Sequence, residues 1–301
     1  MIYNKYTIWK GEVFFMRIKE LIEKFLEKVL LENHFETYMC YCSHLRCFMI
    51  FCEEFNIVDI DDLNENIYLN FVKYCKNKNL CNRTINKRYR LFLQVLKYNK
   101  INVYNLEKKS LKEKFVRFDM FDKVDLKKIM NYVYNLKNDP INLTHKLTVF
   151  LLASTGVRIN ELLNIKRENI NLSDNSILLI ITKTDVERFV FFDKYTAELI
   201  KEYLKFECNS EYLLFNFLRN EKYTYRSCVC FLNKMKKDLN IKKLHPHMFR
   251  HTFASNLVLN EAPLFMIQKL LGHSSIRTTE IYVHLNNDNL KKCYDKYFNI
   301  A

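Results

Sequence analysis

Four side chains near the end of the chain could do chemistry together. His247 and Arg250 stand in a His-x-x-Arg box that runs on into His251; His273 follows Arg250 by 23 residues, and Tyr282 comes nine residues later. A guanidinium binds a phosphate through two parallel N–H donors. An imidazole takes up or gives a proton near neutral pH. A tyrosine oxygen can carry a phosphoryl group as a covalent intermediate. Together these groups suit cleavage of a phosphodiester by a tyrosine nucleophile. Each is weak alone: a His-x-x-Arg pair is commonly a surface pair, and the chain holds 19 tyrosines. The joint spacing is the signal.

These side chains need rigid elements behind them. Pro246 suits a helix start, which puts His247 and Arg250 on one face and the stripe Phe249, Phe253, Leu257 on another. That arrangement predicts a helix anchored by its aromatics and presenting the imidazole and guanidinium. Residues 262–271, Gly272 and 275–283 read as helix, tight turn, helix. The chain has only three glycines, Gly11, Gly156 and Gly272. Two of them flank candidate residues, Gly156 near Arg158 and Gly272 beside His273. Glycine is needed where φ is positive or where the backbone is approached closely, and both positions are expected to have such a need.

Upstream, residues 17–105 repeat apolar side chains at helical spacing, as in Ile18, Leu21, Ile22, Phe25 and Val29. Further helices are expected over 35–55, 63–75 and 84–98, the last with a basic side of Lys87, Arg88, Arg90 and Lys97. Such elements make a compact bundle. Residues 107–117 are charged and lack an apolar repeat, which marks an interdomain linker. The organisation expected is a helical domain over 17–106, the linker 107–117 and a second domain over 118–301. In the second, helices are expected over 125–136 and 144–154. Short β segments follow at 170–172, 176–182 and 188–192, with Lys183-Thr184-Asp185 at the turn, and then helix to the end. Residues 1–16 show no clear period, and Met16 is an alternative start.

Composition narrows the partners. The net charge is +14, carried as +7 by residues 1–117 and +7 by 118–301. A basic surface on both halves fits a polyanion touched by both. A generally basic proteome would give the same charge. The ten cysteines include two C-x-C pairs, Cys40/Cys42 and Cys228/Cys230, but no C-x-x-C. No secretory signal precedes them, so reduced thiols in a cytoplasmic protein are expected. No apolar run approaches the roughly 20 residues of a membrane span. The wealth of Asn, Lys, Tyr, Phe and Ile matches the codon bias of an AT-rich genome.

Four stretches together carry a resemblance. Ser154-Thr155-Gly156-Val157-Arg158-Ile159-Asn160-Glu161-Leu162-Leu163, the H-x-x-R-H box, Leu271-Gly272-His273 with the serines after it, and Tyr282 resemble the tyrosine recombinase (phage integrase) family, and its Xer-type members in particular. The resemblance spans roughly 17–297. It implies a mainly α fold with a small β-sheet: an N-terminal, SAM-like core-binding helical bundle and a C-terminal mixed α/β catalytic domain. It makes Arg158 and Arg250 the phosphate-clamping arginines, His247 and His273 the two histidines, and Tyr282 the nucleophile. Lys183 becomes the hairpin lysine, because residues 182–190 parallel a G-K-G-x-K-x-R-x-V run. Departures are Thr182 and Thr184 for the two hairpin glycines, Val186 for the second lysine, and Phe249 for leucine. Glu161, three residues after Arg158, reads as a structural partner that orients its guanidinium.

The resemblance implies no cofactor and no metal, although His245, Pro246, His247 and His251 could mimic a metal cluster. It implies double-stranded DNA with paired recombination sites as partner, and a homo- or hetero-tetramer of protomers. Cytoplasmic, nucleoid-associated action is expected, in chromosome-dimer resolution or in integration and excision of a mobile element. The chain leaves no room for an added arm-binding domain, which favours the Xer-like type. Residues 289–300, apolar at helical spacing, are expected to dock on a neighbouring protomer. Two other readings stand beside this: a non-catalytic helix-turn-helix regulator using 262–283, and a topoisomerase-like relaxing enzyme with the same nucleophile.

Overall fold

A computed structural model of the chain describes residues 7–9, 12–14, 17–33, 35–102, 106, 110–113, 119–180, 187–273 and 279. Lys183, Tyr282, most of 107–117 and all of 289–300 lie outside the described residues. The chain divides into two compact units, Met1–Val116 and Arg117–Ala301.

The first unit opens with a hairpin, β1 (Thr7–Trp9) against β2 (Glu12–Phe14), in a stretch without sequence period. Four helices follow: α1 (Ile18–Glu32), α2 (Phe35–Glu54), α3 (Ile67–Asn77) and α4 (Asn82–Tyr98). The 3–4 spacing in α1 does what it predicts, burying Ile18, Leu21, Ile22, Phe25 and Val29. They meet an aromatic core in which Phe48 and Phe92 stack at 3.7 Å and Phe71 and Tyr89 are buried. Each such ring removed from water contributes about 1.5–3 kcal/mol. The helix expected from residue 63 starts at Ile67 instead. A 3-10 turn, Ile60–Asp62, holds the preceding chain, with the Asp62 carboxylate accepting from Val58 N and Asp59 N. The basic side expected of α4 is also qualified. Arg88 is half-buried with its guanidinium on Cys47 Sγ, and Arg90 pairs with Glu113.

The second unit is built around α6 (Pro140–Thr155), which buries Leu143, Leu147, Val149, Phe150, Leu151 and Leu152. Asp139 caps its start by accepting from Asn142 N at 2.9 Å, and Pro140 fills the first turn. Before it lies α5 (Lys123–Tyr134), capped by Asp122. After it come α7 (Ile159–Leu163) and an antiparallel sheet of β3 (Ile170–Asn171), β4 (Ser176–Leu179) and β5 (Arg188–Phe191), in that spatial order. In the register of β4 and β5, Ile177 faces Val190 and Leu179 faces Arg188. The rest is α8 (Lys194–Tyr203), α9 (Tyr225–Asp238), α10 (Pro246–Leu259) and α11 (Leu264–Leu271). Between α8 and α9 a small hairpin, β6 (Phe215–Asn216) with β7 (Glu221–Lys222), replaces the helix expected there. Two-residue strands are too short to show a period. The architecture is mainly α with small sheets, as the resemblance implied.

Glycine scarcity has a structural outcome. Seven described non-glycine residues hold positive φ, five of them asparagines: Asn56, Asn79, Asn175, Asn220 and Asn240. Asparagine tolerates this conformation better than most residues, and here it fills turns and helix ends where glycine is usual. Gly156 (φ +62°) and Gly272 (φ +63°) remain because a second demand is added. A Cβ on Gly156 would overlap the Phe253 ring, and one on Gly272 would lie 2.5 Å from Arg188 Nη1.

Candidate active site

The site forms where three chain segments end close together. Helix α6 stops at Gly156, and the chain turns through Val157 to Arg158, the N-cap of α7. Strand β5 begins with Arg188. Helix α11 stops at Gly272 and delivers His273. The buried set Ala254, Val258, Ile267 and Leu271 fastens α10 to α11, so Arg250 is carried to the same place.

The last turn of α11 organises three arginines. Arg188 Nε donates to Leu270 O at 3.0 Å, Arg250 Nη2 to Leu271 O at 2.6 Å, and Arg158 Nη2 to Gly272 O at 3.4 Å. Carbonyls at a helix C-terminus lack intrahelical partners and carry partial negative charge. Three consecutive ones therefore give three guanidiniums a common anchor. Arg250 also donates through Nη1 to Gly156 O at 2.9 Å, tying the end of α6 to the end of α11.

One carboxylate lies among these cations. Glu161 Oε2 accepts from Arg158 N at 2.8 Å and from Arg188 Nη2 at 2.7 Å; its Oε1 accepts from Arg158 Nη1 at 2.7 Å and Arg188 Nη1 at 3.3 Å. Burial pushes this carboxyl up, but the hydrogen bonds and charge of Arg188, with those of Arg158, outweigh it and hold the pKa below the ordinary value. Three guanidiniums against one carboxylate leave a surplus of positive charge, as an anion site requires. Arg158 is the accessible member, with 39% of its side chain exposed; Arg188 and Arg250 are buried.

Arg250 departs from the expected helix pattern. The sequence pattern predicts a guanidinium presented from one face and the aromatics buried on another. Instead α10 buries Met248, Phe249, Arg250, Thr252, Ala254, Ser255 and Val258, while Phe253 and Leu257 are only partly buried. Arg250 is 5% exposed, and two backbone carbonyls accept from it. His247 stays exposed one turn earlier.

The histidines are held neutral. His273 is pushed down to about 4 by burial and then by Arg250, Arg158 and Arg188. Its Nδ1 lies 2.9 Å from Thr279 Oγ1, and Gln268 Nε2 donates to its backbone carbonyl. His247, although its residue is exposed, is lowered by partial desolvation of its ring, then by His245, Arg250 and Arg158. His251 is lowered to about 4, again chiefly by burial. At neutral pH, His247 and His273 offer neutral imidazoles rather than extra charge. Among the described residues no group of three or more His, Cys, Asp or Glu is placed to hold a metal ion.

The structure thus brings together Arg158, Arg250 and His273 and sets His247 within their field. Lys183 and Tyr282 fall outside the described residues. Glu161 does orient Arg158. Sequence reasoning did not single out Arg188, although it lies in the 182–190 run. Its signal was parity: on β5 it shares the buried face with Val190, while Phe189 and Phe191 face outward.

Known proteins resemble this chain in sequence and in fold. The phage integrase family profile matches residues 119–289. A probable integrase/recombinase of Acholeplasma phage L2 is 31% identical over 216 residues, covering 72% of this chain and 75% of that one. The tyrosine recombinase XerC of Staphylococcus aureus is 36% identical over 164 residues, 52% of this chain and 54% of that protein. Among solved structures, the XerH site-specific recombinase bound to its difH substrate superposes with a TM-score of 0.70 at 22% identity, covering 94% of this chain and 85% of that one. The Tn1549 transposon integrase in complex with transposon right end DNA gives 0.76 at 16% identity, covering 93% and 99%. These structures share the fold. With the family profile matching more than half of the chain and the phage relative matching over two thirds of it, the chain belongs to the phage integrase family and is a tyrosine recombinase.

Proposed function

We propose that the protein cuts and rejoins double-stranded DNA at paired recombination sites, through a 3′-phosphotyrosyl intermediate on Tyr282. The observation that carries this is the convergence of Arg158, Arg250 and His273 on the last turn of α11. Arg158 and Arg250 bind the scissile phosphate, whose non-bridging oxygens gain charge as the tyrosine attacks. His273 adds a neutral donor, and His247 assists proton transfer at the tyrosine. Lys183 protonates the departing 5′-oxygen. The phosphodiester energy is retained in the phosphotyrosine, so rejoining needs no nucleotide. No step calls on a metal or cofactor.

Residues 17–106 form the core-binding domain, 107–117 the link, and 118–301 the catalytic domain. Both halves carry net positive charge for the duplex, and four protomers, alike or of two kinds, complete the exchange. Residues 289–300 dock on a neighbouring protomer. The place of action is the nucleoid in the cytoplasm; no helix among the described residues is long and apolar enough to cross a membrane. On a nicked suicide duplex carrying the recombination site, Tyr282→Phe binds normally and gives no covalent adduct. An undiminished adduct on a denaturing gel refutes the nucleophile.

Two biological roles use this chemistry. XerC similarity supports resolution of chromosome dimers. The phage relative, aligned over 72% of this chain, supports integration and excision of a mobile element. Loss of the gene leaves unresolved chromosome dimers in the first case and abolishes an excised circle in the second.

A further inference from the structure

Arg188 is a buried cation at the centre of the site that the proposed mechanism does not use. Each of its three nitrogens donates to the protein: Nη2 and Nη1 to the two oxygens of Glu161, Nε to Leu270 O. Only 6% of its side chain is exposed, against 39% for Arg158. Of the two arginines that hold Glu161, Arg158 is the one open to a phosphate.

Glu161 is needed where it is. It caps α7 through Arg158 N and orients the Arg158 guanidinium through Nη1. An unshared carboxylate 2.7 Å from that guanidinium would also neutralise it and repel an incoming phosphate. The same carboxylate is shared with Arg188 at 2.7 Å. We propose that Arg188 is a positioning residue that takes up the charge of Glu161, so that Glu161 can orient Arg158 without quenching it as a phosphate ligand. This rests on the reading of Arg158 as that ligand.

The rest of the geometry fits the role. Only a planar fork with donors on three nitrogens reaches both carboxylate oxygens and a helix-end carbonyl at once; a lysine ammonium is a single point. Gly272 is glycine where a Cβ would press on Arg188 Nη1. Arg188 also sits on the buried face of β5, held by the pairing of β5 with β4, so its guanidinium is fixed before any substrate arrives.

The test uses the full chain and inorganic vanadate, an analogue of the phosphoryl-transfer transition state, with affinity read by isothermal titration calorimetry. Arg188→Gln is expected to weaken vanadate binding by about tenfold or more, the scale of one lost charge-assisted contact. Glu161→Gln introduced into that variant is expected to restore most of the loss, because the unshared negative charge is gone. Arg188→Lys should fall between, keeping charge without the fork. Rescue by the second substitution is a readout that a merely structural role would not produce. The doubly substituted protein also keeps the site neutral and filled should the single variant fold poorly, and thermal unfolding of each reports that. Unchanged affinity in Arg188→Gln overturns the proposal. So does a loss that Glu161→Gln leaves in place. If Arg158→Ala leaves vanadate affinity at the wild-type value, the phosphate-ligand reading itself is what fails.

Discussion

Arg250 and Gly156 are 94 residues apart in sequence and joined by a 2.9 Å hydrogen bond, from the guanidinium Nη1 of the first to the carbonyl of the second. The other end of the same guanidinium holds Leu271 O. The arginine assigned to the phosphate is therefore also the bolt between α6 and α11.

Replacing Arg250 should accordingly have two effects. Arg250→Met leaves two buried carbonyls without that donor and should destabilise the domain by about 2–4 kcal/mol. Arg250→Lys keeps the charge but has one ammonium for two carbonyls, and should lose most adduct formation with a smaller fall in stability. Denaturant midpoints and adduct rates on one set of samples check this. Equal stability of the methionine variant and the wild type would contradict the bolt.

Gly156→Ala should cost about 2–4 kcal/mol, since it adds a positive-φ penalty to overlap with a packed ring. Shrinking the ring in the same protein, with Phe253→Leu, should recover part of the loss. Asn79→Gly and Asn240→Gly, at positions with the same backbone sign, should change stability by only about half a kcal/mol. Thermal unfolding of the four variants decides it.

Acid should destabilise the protein in a definite window. Unfolded imidazole titrates near 6.5, while folded His251 and His273 titrate near 4. Between these values the unfolded chain binds protons that the folded chain refuses, so stability is full above pH 6.5 and falls as the pH drops towards 4. The slope is at most about 1.4 kcal/mol per pH unit for each imidazole, less for partial exposure. Glu161, held below its ordinary value, adds stability that is lost as the pH falls from that ordinary value through the lowered one. His251→Asn should flatten the decline between pH 6.5 and 4, measured as melting temperature against pH. An unchanged slope would remove His251 from the account.

Lys183→Ala should slow cleavage strongly when the leaving group is an ordinary 5′-hydroxyl. A duplex with a 5′-bridging sulfur, which leaves without a proton, should restore the rate. Arg158→Ala should not be restored by sulfur, because its loss lies on the non-bridging oxygens. Failure of the sulfur duplex to help Lys183→Ala would deny the lysine its role as acid.

Cleavage should proceed unchanged in EDTA. Under the proposed mechanism, the charge that a divalent ion would neutralise is met by the guanidiniums of Arg158 and Arg250, anchored on Gly272 and Leu271. Activity lost to EDTA and restored by Mg²⁺ would oppose that mechanism.

Much of this was legible in the sequence, for physical reasons. Helical spacing in α1 and α4 follows from one buried face, and it named Ile18, Leu21, Ile22, Phe25 and Val29 correctly. The scarcity of glycine marks Gly156 and Gly272, and both hold positive φ. Arg188 was less visible, because alternation along β5 invites its phenylalanines to be placed inside; a carboxylate and a helix end from distant segments reverse that preference. The burial of Arg250 was hidden for the same reason. Its partners are backbone carbonyls, which no side-chain pattern records. The late start of α3 reflects a local capping turn stronger than the apolar period beyond it.

The asparagines at positive φ have a consequence beyond stability. They sort the left-handed positions of the backbone by whether a side chain fits. Asn56, Asn79, Asn175, Asn220 and Asn240 occupy left-handed positions where a side chain was tolerated. Gly156 and Gly272 are where one was not. The two described glycines therefore mark places where backbone is closed in by other atoms, and the carbonyl of each accepts from an arginine of the site, Gly156 from Arg250 and Gly272 from Arg158.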